Sequence, residues 1–202
     1  MEAAKKMEKG ETQMPESTQL KVGAREILAK IPVEAKREIV AKSRLTCESN
    51  WMMALVFTSG WDAANKMNIQ VGQAVGKAEM HRLMKALGIG KPKNDTEFLM
   101  LISLAMETFL TKDYFDYEFK ILGPGKTLGI VRQCYAYTKV RSIGVEKNYQ
   151  CGCFGMRAGW YQAMGLEVKE NLVKCLKDGA DQCEILVENV VYPQSALTNG
   201  PL

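Results

Sequence analysis

The sequence predicts an α+β fold in which N-terminal helices pack on an antiparallel β-β-α-β-β sheet. Apolar residues recur at three- and four-residue spacings in the first half of the chain, whereas apolar and polar residues alternate from Lys112 onward. Turn signals at 123–125 and 178–179 divide the second half into two pairs of strand-like segments, which is typical of hairpins. An order in which helices come first and strands follow is typical of an α+β protein.

Composition sets the expected domain boundaries. Residues 1–20 are polar and lack a periodic apolar pattern, so they are predicted to form a disordered tail. One domain is expected over 21–192, with a helical part at 21–111 and the β-β-α-β-β part at 112–192. Residues 193–202 are polar and are predicted to form a second tail. A length of 202 residues with 47% hydrophobic residues suits one compact domain.

Charge and hydropathy argue against several functional classes. The net charge is +4 and the basic residues are scattered, so no nucleic-acid-binding surface is predicted. No apolar run approaches the roughly 18 residues of a membrane span, and the N-terminus lacks the apolar core of a signal peptide. We expect a cytoplasmic protein that binds a small molecule, without membrane or nucleic-acid partners. A homo-oligomer and a subunit of a larger complex both remain open.

The helical part divides at proline and glycine. A short helix from about residue 20 is expected to end at Pro32, and a second helical segment follows it. The segment Thr46–Phe57 is apolar all round and is predicted to be a buried helix that Ser59 or Gly60 interrupts.

A long amphipathic helix is predicted over Trp61–Leu87. Within it, Gly72 and Gly76 form an edge of small residues where another helix is expected to approach closely. Asn94 or Asp95 is expected to cap the helix that follows.

The second half is predicted to contain two hairpins around one helix. A strand over 114–121 and a strand over Leu128–Val140 form the first hairpin. Phe154, Trp160 and Met164 lie on the intervening helix, which Gly165 ends. Strands over Val168–Cys175 and Cys183–Val191 form the second hairpin.

Four of the six cysteines fall in this last region, and they are the main candidates for chemistry. Antiparallel pairing brings Cys175 and Cys183 together, while Cys151 and Cys153 lie at the start of the helix, where the amide dipoles favour a thiolate. Converging thiolates predict a metal site on Cys151, Cys153, Cys175 and Cys183, with zinc as the metal or an iron-sulfur cluster as the alternative. Buried thiols without metal, and catalytic or redox thiols at Cys151 and Cys153, stay open.

Four further residues are candidates for the site. His81 is the only histidine and is a candidate general acid or base, although a lone histidine is more often a surface or core residue than a catalyst. Trp51, Trp61 and Trp160 are candidates to line an apolar ligand cavity, and a plain core role is the alternative for each of them.

The stretch CLKDGADQCEILV, with an upstream cysteine, resembles the C-terminal signature of the 4-vinyl reductase domain superfamily. Cys175, the turn containing Gly179, and Cys183 ahead of alternating apolar residues carry the resemblance. The helical front half resembles the L-2-amino-thiazoline-4-carboxylic acid hydrolase-like branch. The resemblance implies a zinc site completed by an acidic ligand. Leu172 stands where that acid is expected, so Cys153 or Glu170 replaces it or the metal is absent.

The resemblance implies a hydrolase-like enzyme that acts on a C–N or C–S bond of a small heterocycle, with a cysteine-ligated metal or reactive thiols. The alternative is a non-catalytic module that binds an aromatic or tetrapyrrole-like ligand, or an accessory subunit with a structural zinc or iron-sulfur site. The chain has no P-loop, Rossmann glycine pattern, G-x-S-x-G or H-E-x-x-H motif, which argues against nucleotide-dependent and serine-hydrolase chemistry.

Overall fold

A computed structural model describes residues 16–110 and 112–192, and it confirms the α+β class. The sequence predicts one helix between the two hairpins, whereas the structure has two. In chain order they are α1 Glu16–Ala29, α2 Val33–Leu87, α3 Asp95–Phe109, β1 Phe115–Gly123, β2 Lys126–Cys134, α4 Tyr135–Ser142, α5 Cys153–Met164, β3 Lys169–Lys174 and β4 Cys183–Glu188.

The chain divides into two compact units at residue 40. The first contains α1 and the start of α2, where Arg37 forms ion pairs with Glu34 and Glu38. The second begins at Ala41 and contains everything described below. Residues 16–20 of the predicted N-terminal tail belong to α1, whereas 1–15 and the predicted tail at 193–202 lie outside the described residues.

The helix α2 reverses direction at Gly60, one of the two breaks that the sequence predicts. Gly60 has φ 78° and ψ 170°, a left-handed conformation that favours glycine. Arg44 before the break forms an ion pair with Glu79 after it. A straight helix would hold these two residues about 50 Å apart. We call residues 41–59 the first arm and residues 61–87 the second arm.

The four strands form one antiparallel sheet in the order β1-β2-β4-β3. Both predicted hairpins are present, and β2 pairs with β4 to join them. Residues of one sheet face alternate along the strands and cover α3 and α5, with Trp160, Phe98, Met80 and Met164 fully buried in the shared core. Asn94 caps α3 as predicted, because its side chain accepts a hydrogen bond from Glu97 N.

Two predictions about these elements are wrong. The strand β2 ends at Cys134, not at Val140, because the residues after it form α4, whose apolar residues also fit a helical spacing. The segment Thr46–Phe57 is helical but not buried all round, since Trp51 is 66% and Phe57 82% exposed. Only one face of the first arm packs inward.

The second arm and α5 cross at a contact made by glycines on both helices. A Cβ atom on Gly76 would lie 2.9 Å from the carbonyl carbon of Met156, and one on Gly159 would lie 2.6 Å from Lys77 N. Gly72 and Gly155 also face backbone atoms of the opposite helix. The close approach predicted at Gly72 and Gly76 is confirmed, and α5 is the helix that makes it.

Because the two helices cross at Gly76, adding one methyl group there is expected to destabilise the protein. Gly76→Ala forces the two backbones apart and is expected to lower the free energy of unfolding by at least about 1–3 kcal/mol. Gly90→Ala is the matched control, because nothing lies within 4 Å of a Cβ atom there, and its effect should stay within about 0.5 kcal/mol. Urea unfolding followed by circular dichroism compares the two variants. Equal stabilities would show that the helices do not cross at Gly76.

Candidate functional site

The site is built around the start of α5. Cys153 is the first helical residue and Gly152 is the N-cap residue, so Cys151 and Cys153 lie at the start of the helix as predicted. The Cys151 and Cys153 sulfur atoms lie 2.7 Å apart, and both cysteines are free thiols. Because the first amides of a helix carry a partial positive charge, the position of Cys153 favours its thiolate.

The second arm of α2 holds the loop that presents these thiols. The buried Asn65 side chain donates a hydrogen bond to Asn148 O at 2.8 Å and accepts one from Gln150 N at 2.9 Å. Gly152 N donates to the Tyr149 hydroxyl at 3.2 Å. The backbone on either side of Cys151 is therefore fixed by buried polar side chains.

Arg157 brings a buried positive charge one helical turn after Cys153. Its Nε donates to Glu170 Oε1 on β3 at 2.5 Å, and the Tyr161 hydroxyl donates to the same oxygen at 3.2 Å. The guanidinium also lies 4.7 Å from the centroid of the Phe154 ring. Its Nη2 is buried and has no hydrogen-bond partner in the described part of the chain. One donor of a buried cation is thus left without an acceptor.

The groups around the thiols shift their pKa values in opposite directions. A hydrogen bond from Cys151, and then the charge of Arg157, lower the pKa of Cys153 to about 6 despite its burial. The same hydrogen bond and burial raise the pKa of Cys151. Burial raises the pKa of Cys134 to about 11. Cys153 is therefore the thiol of this cluster that carries a negative charge near neutral pH.

Cys153 lines two neighbouring apolar cavities. The inner cavity, about 80 Å³, lies between the sheet and helices α3 and α5, and both Cys153 and Arg157 line it. The outer cavity, about 320 Å³, lies between the arms of α2 and α4. The two cavities share five lining residues, namely Leu110, Phe115, Cys134, Cys153 and Met156.

The four cysteines of the predicted metal site are arranged as two pairs. Cys175 follows β3 and Cys183 begins β4, and the sulfur of Cys183 accepts a hydrogen bond from Leu176 N at 3.3 Å. Within 16–110 and 112–192, no three His, Cys, Asp or Glu side chains form a group that could hold a metal ion. The zinc and the iron-sulfur centres both stay predictions for these cysteines.

The predicted tryptophan and histidine positions have different environments. Trp160 is fully buried, lines the inner cavity and donates to Glu79 Oε2 at 3.2 Å. Trp61 lines the outer cavity. Trp51 and His81 are exposed and line neither cavity.

The sequence interpretation missed Arg157 as a site residue. A usable signal exists, because Arg157 follows Cys153 by four residues on a predicted helix and therefore shares its face. Glu170, a candidate replacement for the missing acidic ligand, instead pairs with Arg157.

Comparisons with known proteins establish the fold alone. No family model and no curated protein matches the chain. A crystal structure of a trafficking protein particle complex subunit 3 from Naegleria fowleri, covalently bound to palmitic acid, has a TM-score of 0.56. It is 15% identical, and the match covers 79% of this chain and 98% of that chain.

A second solved structure is an H-NOX protein from S. oneidensis in the Fe(II)NO ligation state. It is 14% identical with a TM-score of 0.43, and the match covers 63% of this chain and 66% of that chain. This likeness is too weak to establish a shared fold. In the described residues, no helix is long and apolar enough to cross a bilayer.

The shifted thiol predicts an unusual pH dependence of alkylation. Thiolate forms above the pKa, so iodoacetamide should modify Cys153 at a rate that reaches half its maximum near pH 6. Cys151→Ala removes the hydrogen bond that lowers the pKa most, and the pKa should rise toward the ordinary value of about 8.5. At pH 7 the rate at Cys153 should then fall about tenfold, because most of the thiol is protonated.

Peptide mass spectrometry separates Cys153 from the exposed Cys47, whose rate serves as the internal control. Faster modification of Cys151 than of Cys153 in the wild type at pH 7 would reverse the assignment of the two thiols.

Proposed function

We propose that this chain is a ligand-binding module that holds an apolar small molecule in the two neighbouring cavities. The observation that carries the proposal is that Cys153 and four further residues line both cavities, between helices on one side and the sheet on the other. Enclosed apolar cavities with a few convergent polar groups are the usual form of small-molecule sites. The ligand would have an apolar body and one polar group near Cys153 and Arg157.

The distribution of polar residues supports this orientation of the ligand. The inner cavity is lined by α3 and by alternate residues of the strands, which are almost all apolar. Apart from Arg157, the charged lining side chains belong to the outer cavity, where they are Arg44, Glu48 and Lys139. A molecule that enters through the outer cavity would therefore place its most apolar part against the sheet.

The similar structure from Naegleria fowleri supports an apolar chain as the ligand. That protein shares the fold and is covalently bound to palmitic acid. It is also a subunit of a complex, which favours a subunit of a larger complex over a homo-oligomer for this chain. The exposed Trp51 and Phe57 on the first arm would suit such an assembly.

A matched pair of methionines on α3 tests the proposal. Met106 lines the inner cavity and is half-buried, whereas Met100 on the same helix is 57% exposed. Met106→Trp fills the cavity with an indole ring and should raise the Kd of the neutral fluorescent probe N-phenylnaphthylamine about tenfold, equivalent to roughly 1.4 kcal/mol. Met100→Trp should leave the Kd unchanged.

Displacement of the probe by myristyl alcohol then shows whether an alkyl chain occupies the same space. Thermal melts confirm that both variants are folded. Equal affinities in the two variants, or no saturable binding by the wild type, would refute the proposed cavity site.

A second candidate function is the hydrolysis of a C–N or C–S bond in a small heterocycle. The low pKa of Cys153 beside a cavity favours it, because a thiolate at neutral pH can attack a ring carbon. The wild type would then open the ring of a thiazoline carboxylate, and Cys153→Ala would abolish the turnover. Absorbance of the thiazoline ring gives the assay. Turnover that survives in Cys153→Ala would exclude this thiol as the nucleophile.

A further inference from the structure

We propose that Cys153 accepts an acyl group from a long-chain acyl thioester, and that Arg157 holds the carbonyl oxygen of that thioester during the transfer. This inference rests on the proposed function, because the acyl chain occupies the cavities assigned there to an apolar ligand. It assigns the chemical class of the ligand and the atom to which it becomes attached.

The first observation is the donor of Arg157 that has no acceptor. Its Nε is bound to Glu170, while Nη2 is buried without a hydrogen-bond partner among the described residues. Leaving a buried charged donor unsatisfied is costly. Because Arg157 lines the inner cavity, an oxygen atom of a ligand in that cavity is the natural acceptor.

The charges of the neighbouring groups favour a neutral carbonyl over a carboxylate. Glu170 already neutralises Arg157, with side chains that are 14% and 12% exposed. A ligand carboxylate would add an uncompensated negative charge beside Glu170 and the Cys153 sulfur, which is unfavourable in a buried site. A carbonyl oxygen accepts the Nη2 hydrogen bond without adding charge in the ground state.

The second observation is the position of the Cys153 sulfur. Cys153 lines both cavities and lies at the first position of α5, where the helix amides favour a thiolate. A thioester bound with its acyl chain in the cavities presents its carbonyl carbon between a nucleophile and a hydrogen-bond donor. As negative charge develops on the carbonyl oxygen, the Nη2 hydrogen bond strengthens, which lowers the barrier.

The transfer exchanges one thioester for another. The Cys153 thiol gives its proton to solvent, and its sulfur attacks the carbonyl carbon to form a C–S bond. The tetrahedral oxyanion collapses, the bond to the original sulfur breaks, and the departing thiolate takes up a proton. The products are an acyl thioester on Cys153 and a free thiol, so no oxidant or reductant is consumed.

Incubation of the full chain with myristoyl-coenzyme A tests the inference. We expect one acyl group per chain, removed by neutral hydroxylamine and located on Cys153 by peptide mass spectrometry. Cys153→Ser should abolish it, and Cys47→Ser, at an exposed cysteine outside both cavities, should retain it. Acetyl-coenzyme A, which has no apolar chain to bind, should react at least about tenfold more slowly.

The role of Arg157 is tested by Arg157→Met combined with Glu170→Met, which removes both buried charges together. Acylation by myristoyl-coenzyme A should slow roughly a hundredfold, as expected for loss of one oxyanion donor, and a thermal melt shows whether the double variant is folded. An unchanged rate would overturn the role of Arg157. If the double variant does not fold, the comparison of acetyl and myristoyl donors on the wild type still decides whether the cavities direct the reaction.

Two negative results have different meanings. Wild type that binds myristyl alcohol but is not acylated on Cys153, or is acylated equally on Cys47, would overturn this inference and leave the ligand-binding function intact. Wild type that does not bind myristyl alcohol and is not acylated would overturn both.

Discussion

The glycine crossing between the second arm of α2 and α5 is the constraint on which the site depends. Because Gly76 and Gly159 allow backbone-to-backbone approach, α5 has one position relative to α2. That position also places Gly152 against Asn68 and the preceding loop against Asn65, about two and three turns before Gly76 on the same arm. The start of α5, and with it Cys153, is therefore fixed by an arm that itself carries no cysteine.

The features that could be predicted from the sequence are those with local causes. Turn glycines predicted both hairpins, Asn94 predicted the start of α3, and Gly60 predicted the break in α2. The predictions that were wrong concern features that depend on contacts between residues far apart in the sequence. The apolar pattern of the residues after Cys134 fits both a strand and a helix, so the local sequence does not decide between them; in the structure they form α4, which lines the outer cavity.

For the cysteines, too, the sequence predicts their positions on the elements but not the side chains that lie beside them. Sequence spacing placed Cys153 at a helix start and Cys175 opposite Cys183, and the structure agrees on both placements. The spacing of residues in the sequence could not show that Arg157 and Glu170 form an ion pair, because that contact joins two separate elements, α5 and β3. The described residues place this ion pair beside Cys153.

A buried ion pair is weak support for stability, because desolvation of two charges offsets much of their attraction. Apolar residues of similar volume at positions 157 and 170 would pack α5 on β3 without that cost. The pair also leaves Nη2 of Arg157 unsatisfied, which adds to the cost. Stability therefore does not account for Arg157. A charge held next to a thiol that lines two apolar cavities is better explained by what it does to the thiol and to a ligand's polar group.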